Sequence, residues 1–331
     1  MSSVSLRRPV TILVSLAASG ALLAVLYRTI DAKLVAQTLV RADPFWLAIS
    51  IGMIVPITAL RAVRFAMIEP AGALSGVGEA LRLTFAASAL NVFMPAKSGD
   101  LIKSYFVATR GNIAAGVAVA IIVYERLSDV CGLVAWCLIG WLVSRPQVAG
   151  LPDTFWWALA ALGATCGVLI SSEFAAAQVQ RILTSILPQG RVRGLWSLAR
   201  AWPDLLRLIR GRRRFIVPFS LALWLTHLFQ VWLFTVALAA HVPIAVCMSL
   251  SAVALMAGQL PLTIAGLGTR DVALVVLMAR YVAPESAAAL GLLMSTRNLL
   301  PPLIGLPVMW PYLSAAVGHA RQWRSLAETA E

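Results

Sequence analysis

The chain has 331 residues, of which 60% are hydrophobic and 12% charged, with a mean hydropathy of +0.86. Soluble globular domains carry about 25% charged residues, so this balance excludes an ordinary water-soluble fold. The net charge of +13, from 27 Lys+Arg against 14 Asp+Glu, would suit nucleic acid in a polar chain. In a chain this apolar it fits cytoplasmic loops and anionic lipid headgroups instead, and no nucleic-acid partner is expected.

Separate apolar runs of about 15 to 25 residues predict membrane helices, and the alternating segments of a β-barrel are absent. The expected fold class is all-α: a polytopic transmembrane helical bundle, one domain over residues 1–331. Arg7 and Arg8 precede the run Val10 to Tyr27, which reads as an uncleaved first span in preference to a signal peptide. Arg28 to Asp43 reads as a short polar connection, and Pro44 to Leu60 as the second span. Arg61 and Arg64 then fit a return to the cytoplasmic side.

Glu79 to Arg110 is too long and too broken for one span. It predicts two half-helices around Pro95 and Gly99, in a re-entrant arrangement, with Asn91, Lys97, Asp100 and Lys103 close to the break. Asn112 to Ser144 carries Glu125, Arg126 and Asp129 near its middle. It reads either as one long tilted or bent helix, or as a half-helix and a span. Phe155 to Ile170 is the next span.

The segment 171–214 is the largest polar connection and is expected in the cytoplasm. From Arg181 to Arg214 it holds nine arginines against one acid, Asp204. Within it, Val192 to Ile209 has apolar residues at a roughly helical period, predicting an amphipathic surface helix. Docking on anionic lipid and a plain topology signal both fit. Phe215 to Ala240 is a strong span in which His227 and Gln230 are expected to make helix–helix hydrogen bonds.

Ala245 to Tyr281 repeats the earlier pattern: an apolar half, the break Gln259 to Asp271 with Pro261, Gly266 and Gly268, and an apolar half. Ala287 to Asn298 and Leu299 to Ala315 are expected as two closing segments with Arg297 between them. Arg321 and Arg324 suggest a cytoplasmic C-terminus, as for the N-terminus. The two broken stretches, each followed by an arginine in an apolar region (Arg126, Arg297), fit an inverted repeat, although short Pro/Gly patterns also align by chance.

A charge deep in a bilayer costs a few kcal/mol or more, so the intramembrane ionisable residues are the candidate site. The candidate substrate-binding residues are Asn91, Asp100, Lys103, Glu125, Arg126, Asp129, Arg270, Asp271 and Arg297. Acids and bases balance, so structural ion pairing is one reading. The other is that guanidinium groups fork onto a lipid phosphate in a cavity where the two broken stretches meet. No Ser-His-Asp set, HExxH, acidic metal pair or P-loop is present, the three histidines have no metal-ligand spacing, and the four cysteines read as small buried hydrophobes. Neither cofactor nor metal is expected.

At these residues the chain resembles the lysylphosphatidylglycerol synthase transmembrane region, a flippase-like membrane protein family. The matching pieces are Arg61-Ala-Val-Arg64, the block from Asn91 through Gly99-Asp100 to Lys103, Glu125-Arg126-Leu-Ser-Asp129, the run from Pro261 through Gly266-Leu-Gly268-Thr-Arg270-Asp271, and Arg297. The likeness covers roughly Val10 to Ala315. The family usually has Gly-Glu with a following arginine where this chain has Gly99-Asp100 and Lys103, and Arg-Glu where it has Arg270-Asp271. The resemblance implies an inner-membrane lipid translocase with two broken helix pairs, with an intramembrane lipid or glycolipid transferase, or a scaffold of a lipid-synthesis complex, as alternatives. Longer members carry a soluble aminoacyl transferase domain after the membrane part; with Glu331 as the last residue, no aminoacylation is expected here. The expected partners are a lipid with an anionic or zwitterionic headgroup and the bacterial plasma membrane, with a homodimer as a further option.

Overall fold

The computed structural model describes residues 3–69, 72–93, 99–144, 151–186, 193–259, 263 and 266–328. Among them every regular element is helical, as the composition requires. The helices are α1 (Ser3–Thr29), α2 (Ala32–Val40), α3 (Pro44–Gly52), α4 (Ile54–Ile68), α5 (Val77–Phe93), α6 (Leu101–Gly111) and α7 (Ala115–Ser144). They continue as α8 (Asp153–Ser171), α9 (Glu173–Ile186), α10 (Arg193–Leu208), α11 (Arg210–Ala237), α12 (Ile244–Ala257), α13 (Thr269–Met278) and α14 (Pro284–Glu328).

Local chemistry explains several boundaries that the apolar runs alone did not mark. The connection expected over 28–43 contains α2, because the Asp31 carboxylate caps it by accepting from the Lys33 N–H at 2.8 Å and Val35 is buried beneath it. Asp43 caps α3 in the same way, with Pro44 in the first turn. α3 and α4 together form a 25-residue apolar segment, Pro44–Ile68, broken for one residue at Met53. Pro56 has no N–H to give the Gly52 carbonyl, so the ladder lapses there. The second span therefore runs eight residues past the expected Leu60, and Arg64 lies within a helix and not in a cytoplasmic loop.

Asp153–Ser171 and Arg210–Ala237 are also long and apolar enough to cross a membrane. Residues 115–144 form one 30-residue helix, the first of the two alternatives. Residues 284–328 likewise form one helix of 45 residues, not the two segments expected, and Pro301, Pro302, Pro307 and Pro311 all lie inside it. Both broken regions fold as pairs of short helices packed against each other, α5 with α6 and α12 with α13. The breaks themselves, with Pro95, Lys97 and Pro261, lie outside the described residues.

The chain forms two compact units. One comprises residues 1–57, 126–170 and 217–299; the other comprises 58–125, 171–216 and 300–331. In the first, Leu133, Val134 and Cys137 of α7 share a core with Trp224, Leu228 and Val231 of α11, Leu250 of α12 and Met294 of α14. Gly132 and Gly140 bring α7 against Trp224 and Ser249, where any Cβ would collide, the small-residue packing expected of helices in lipid. In the second unit, Gly305 of α14 lies against the Phe85 backbone of α5, and Gly116 of α7 against Ser197 and Ala201 of α10.

The amphipathic helix expected over 192–209 is α10; the side chains of Val192, Leu195 and Trp196 lie outside the described residues, and the later part of its apolar side is covered by protein. Leu205, Leu206 and Ile209 are fully buried, and the Trp202 ring lies 6.1 Å from that of Tyr124. α9, in a stretch read only as polar connection, packs alongside it.

Candidate functional site

The nine candidate residues divide between the units. Asn91, Asp100, Lys103 and Glu125 belong to the second; Arg126, Asp129, Arg270, Asp271 and Arg297 belong to the first. Those of the second unit form one polar network, whereas in the first Arg270 pairs with Asp271, Arg126 with Asp129 and Arg297 with His227.

In the second unit, Glu125 of α7 is the hub. Its carboxylate lies 3.5 Å from Arg64 Nη2 and 3.2 Å from Lys103 Nζ, and the three side chains are 0%, 0% and 1% exposed, taking Arg64, Glu125 and Lys103 in turn. Lys103 Nζ also lies 3.8 Å from Asp100 and 4.8 Å from the centre of the Phe65 ring. Asn91 Nδ2 donates to Asp100 Oδ1 at 3.2 Å. Two cations and two anions thus balance in a dry interior, where an isolated charge would cost several kcal/mol. Gly99 makes the junction feasible: a Cβ there would sit 2.6 Å from the Asn91 backbone nitrogen. Without a side chain, the start of α6 can touch the end of α5 and deliver Asp100 to Asn91. Asp100 is the N-cap residue of α6, yet its carboxylate makes no capping bond and is given to Lys103 and Asn91.

In the first unit, Arg270 and Asp271 sit together at the start of α13. Arg270 Nη2 and Nε donate to Asp271 Oδ1 at 2.7 and 3.1 Å, and Nη2 also reaches the Gly291 carbonyl and Ser295 Oγ, both at 2.9 Å. Asp271 Oδ2 accepts from the Gly268 N–H at 3.0 Å, closing the first turn of α13. Gly268 holds φ at +98°, which glycine alone adopts freely. A Cβ on Gly291 would lie 2.6 Å from Asp271 Oδ1, so glycine is what admits the carboxylate. Arg126 pairs with Asp129 one turn away at 3.2 Å, with side chains 29% and 14% exposed. Arg297 donates to Nδ1 of His227, which therefore accepts, leaving the neutral ring's proton on Nε2.

Two contributors are missing from the sequence reading of the site: Arg64 reads there as a topology signal, and Ser295 is not singled out, whereas His227 makes the interhelical bond expected of it. For Arg64 the signal was present: a second arginine three residues after Arg61 continues the helical spacing of Pro44–Leu60. Gln230 does bond between helices, donating to the Ser50 carbonyl at 2.8 Å. The four cysteines are free, and Cys137, Cys166 and Cys247 are buried. Among the described residues no three His, Cys, Asp or Glu side chains group as metal ligands.

The model of the lysylphosphatidylglycerol synthase TM region family matches residues 12–305. The chain belongs to that family and is a membrane-embedded helical protein of lipid handling. No curated protein matches it.

Proposed function

We propose that this protein is a lipid translocase of the bacterial inner membrane, both termini cytoplasmic, that takes a phospholipid or related headgroup onto these buried networks while the acyl chains stay in the bilayer. The observation that carries the reading is the pairing of buried cations with carboxylates inside a lipid-handling fold. A lipid phosphate offers Arg270 or Arg64 acceptor oxygens like those of the carboxylate each now faces, so binding exchanges one anionic partner for another. A headgroup amine or hydroxyl can in turn donate to a carboxylate so released, which suits zwitterionic as well as anionic lipids. A second copy of the chain is a further proposed partner.

The test is movement of a headgroup-labelled phospholipid across vesicles holding the full chain. Arg270→Ala and Arg126→Ala abolish it, with unfolding monitored in parallel; Arg270→Lys, which keeps the charge but loses the fork, slows it. Wild-type rates in both alanine variants overturn the reading. Turnover of labelled lipid in detergent, where there is no second leaflet, would mark an intramembrane transferase instead.

A further inference from the structure

Between the spans α8 and α11 in the chain lies a surface outside the candidate networks. α9 begins one residue after α8 ends, and α11 begins at Arg210. With 14 residues α9 is only about 21 Å long, too short to cross hydrocarbon. One side of it, marked by the buried Ala176, packs with α10. The other side is open and apolar: Phe174 is 74% exposed, Ile182 54% and Ile186 70%, with Val179 beside them. At 100° per residue these four share one sector of about 140°.

Exposed basic side chains lie on the same hairpin, Arg181 bordering the sector itself. Arg181 on α9, Arg200 and Arg207 on α10, and Arg210 and Arg214 at the head of α11 are all exposed. The described acids of the hairpin are already engaged: Glu173 by Arg210 and Arg213, and Asp204 by Arg207 at 3.0 Å. The Glu173 bonds also tie the first residue of α9 to the head of α11, closing the hairpin at its base. The open sector is therefore held beside the point where one span ends and the next begins.

We infer that α9 lies in the plane of the membrane, with Phe174, Ile182 and Ile186 among the acyl chains just below the headgroups and the hairpin's arginines on the phosphates of anionic lipid. The pairing of an apolar sector with a basic border is the pattern of an interfacial helix. A second copy of the chain is the weaker occupant on charge, since it would bring these same arginines against themselves. On α10, by contrast, Leu205 and Leu206 are fully buried against protein. The inference is independent of any translocation by the buried networks.

The test uses the full chain, its four native cysteines replaced by alanine and its unfolding temperature checked, in nanodiscs of zwitterionic lipid with or without anionic phosphatidylglycerol. Nitroxide labels at Ile182→Cys and Ile186→Cys report collisions with oxygen and with a nickel chelate. The expected result in anionic discs is high oxygen and low nickel access, the nickel exclusion weakening several-fold in zwitterionic discs or on changing Arg181 and Arg200 to Gln. Each arginine near an anionic surface is worth about fivefold in membrane occupancy. High nickel access in both discs, exclusion of both reagents as in a protein–protein contact, or equal exclusion in both discs would each overturn it. Should the cysteine-free background fail to fold, hydrogen exchange of unmodified protein reads the same difference: slower exchange over 173–186 in anionic discs supports the inference, and equal exchange overturns it.

Discussion

The two broken hairpins use the same parts differently. α5–α6 and α12–α13 are each a pair of short helices around a Pro/Gly break, and each is followed by a long helix. For α5–α6 the long helix supplies a carboxylate, Glu125, that answers Arg64 and Lys103 at once. For α12–α13 the acid is Asp271, next to the arginine it serves, and the long helix supplies only the Gly291 carbonyl and the Ser295 hydroxyl. The first network is thus held together by charges from three helices. The second is a local pair steadied by neutral groups, and should survive the loss of its acid better.

The largest expected effect comes from removing the hub. Glu125→Gln leaves two buried cations short of one anion and is expected to cost about 3–5 kcal/mol of stability, read by thermal unfolding in detergent. Adding Arg64→Gln to it restores neutrality and recovers much of that loss; no recovery would mean that Glu125 acts through something other than charge. Asp271→Asn is expected to cost less, about 1–3 kcal/mol, because Arg270 keeps two neutral acceptors. Equal losses for the two acids would erase the contrast between the hairpins.

The glycines give a second, smaller contrast. Gly99→Ala drives a methyl into the Asn91 backbone, whereas Gly291→Ala meets a side-chain oxygen of Asp271. Both are expected to cost about 1–3 kcal/mol, with Gly99→Ala the worse because backbone yields less than a side chain. Ser295→Ala should cost only about 1 kcal/mol and slow transport modestly, as one of Arg270's bonds is lost.

A separate effect concerns pH, at the end of α4. Burial raises the Glu69 carboxyl from 4.5 to about 7, against the opposing pull of Arg212 and of a backbone hydrogen bond at Leu74. A carboxyl raised in the folded state binds its proton more tightly there than in the unfolded chain. Stability should therefore fall as pH rises from about 4.5 to about 7 and level off above. Glu69→Gln should flatten that slope, which unfolding midpoints across the pH range would show.

Much of this was legible in the sequence. Apolar run length gave the class, and the Pro/Gly interruptions gave the paired short helices. The intramembrane charges marked Asp100, Lys103, Glu125, Arg270 and Asp271, all of them buried. Partner choice was not legible. Glu125 and Arg126 are adjacent in sequence, yet a 100° step along α7 sends them to different partners. Helix continuity also misled: residues 287–298 and 299–315 read as two closing segments with Arg297 between them, but α14 is one helix through both. Nor did the hydrophobic period of 192–209 reveal whether lipid or protein would cover α10.

That continuous α14 has a mechanical corollary. The nitrogens of Pro301 and Pro302 offer nothing to the carbonyls of Arg297 and Asn298, one turn back. Flexing the rod at this joint severs no main-chain bond, since none could form. Two adjacent rungs of the main-chain ladder are thereby open in a helix of 45 residues, so bending it there costs less than bending it elsewhere.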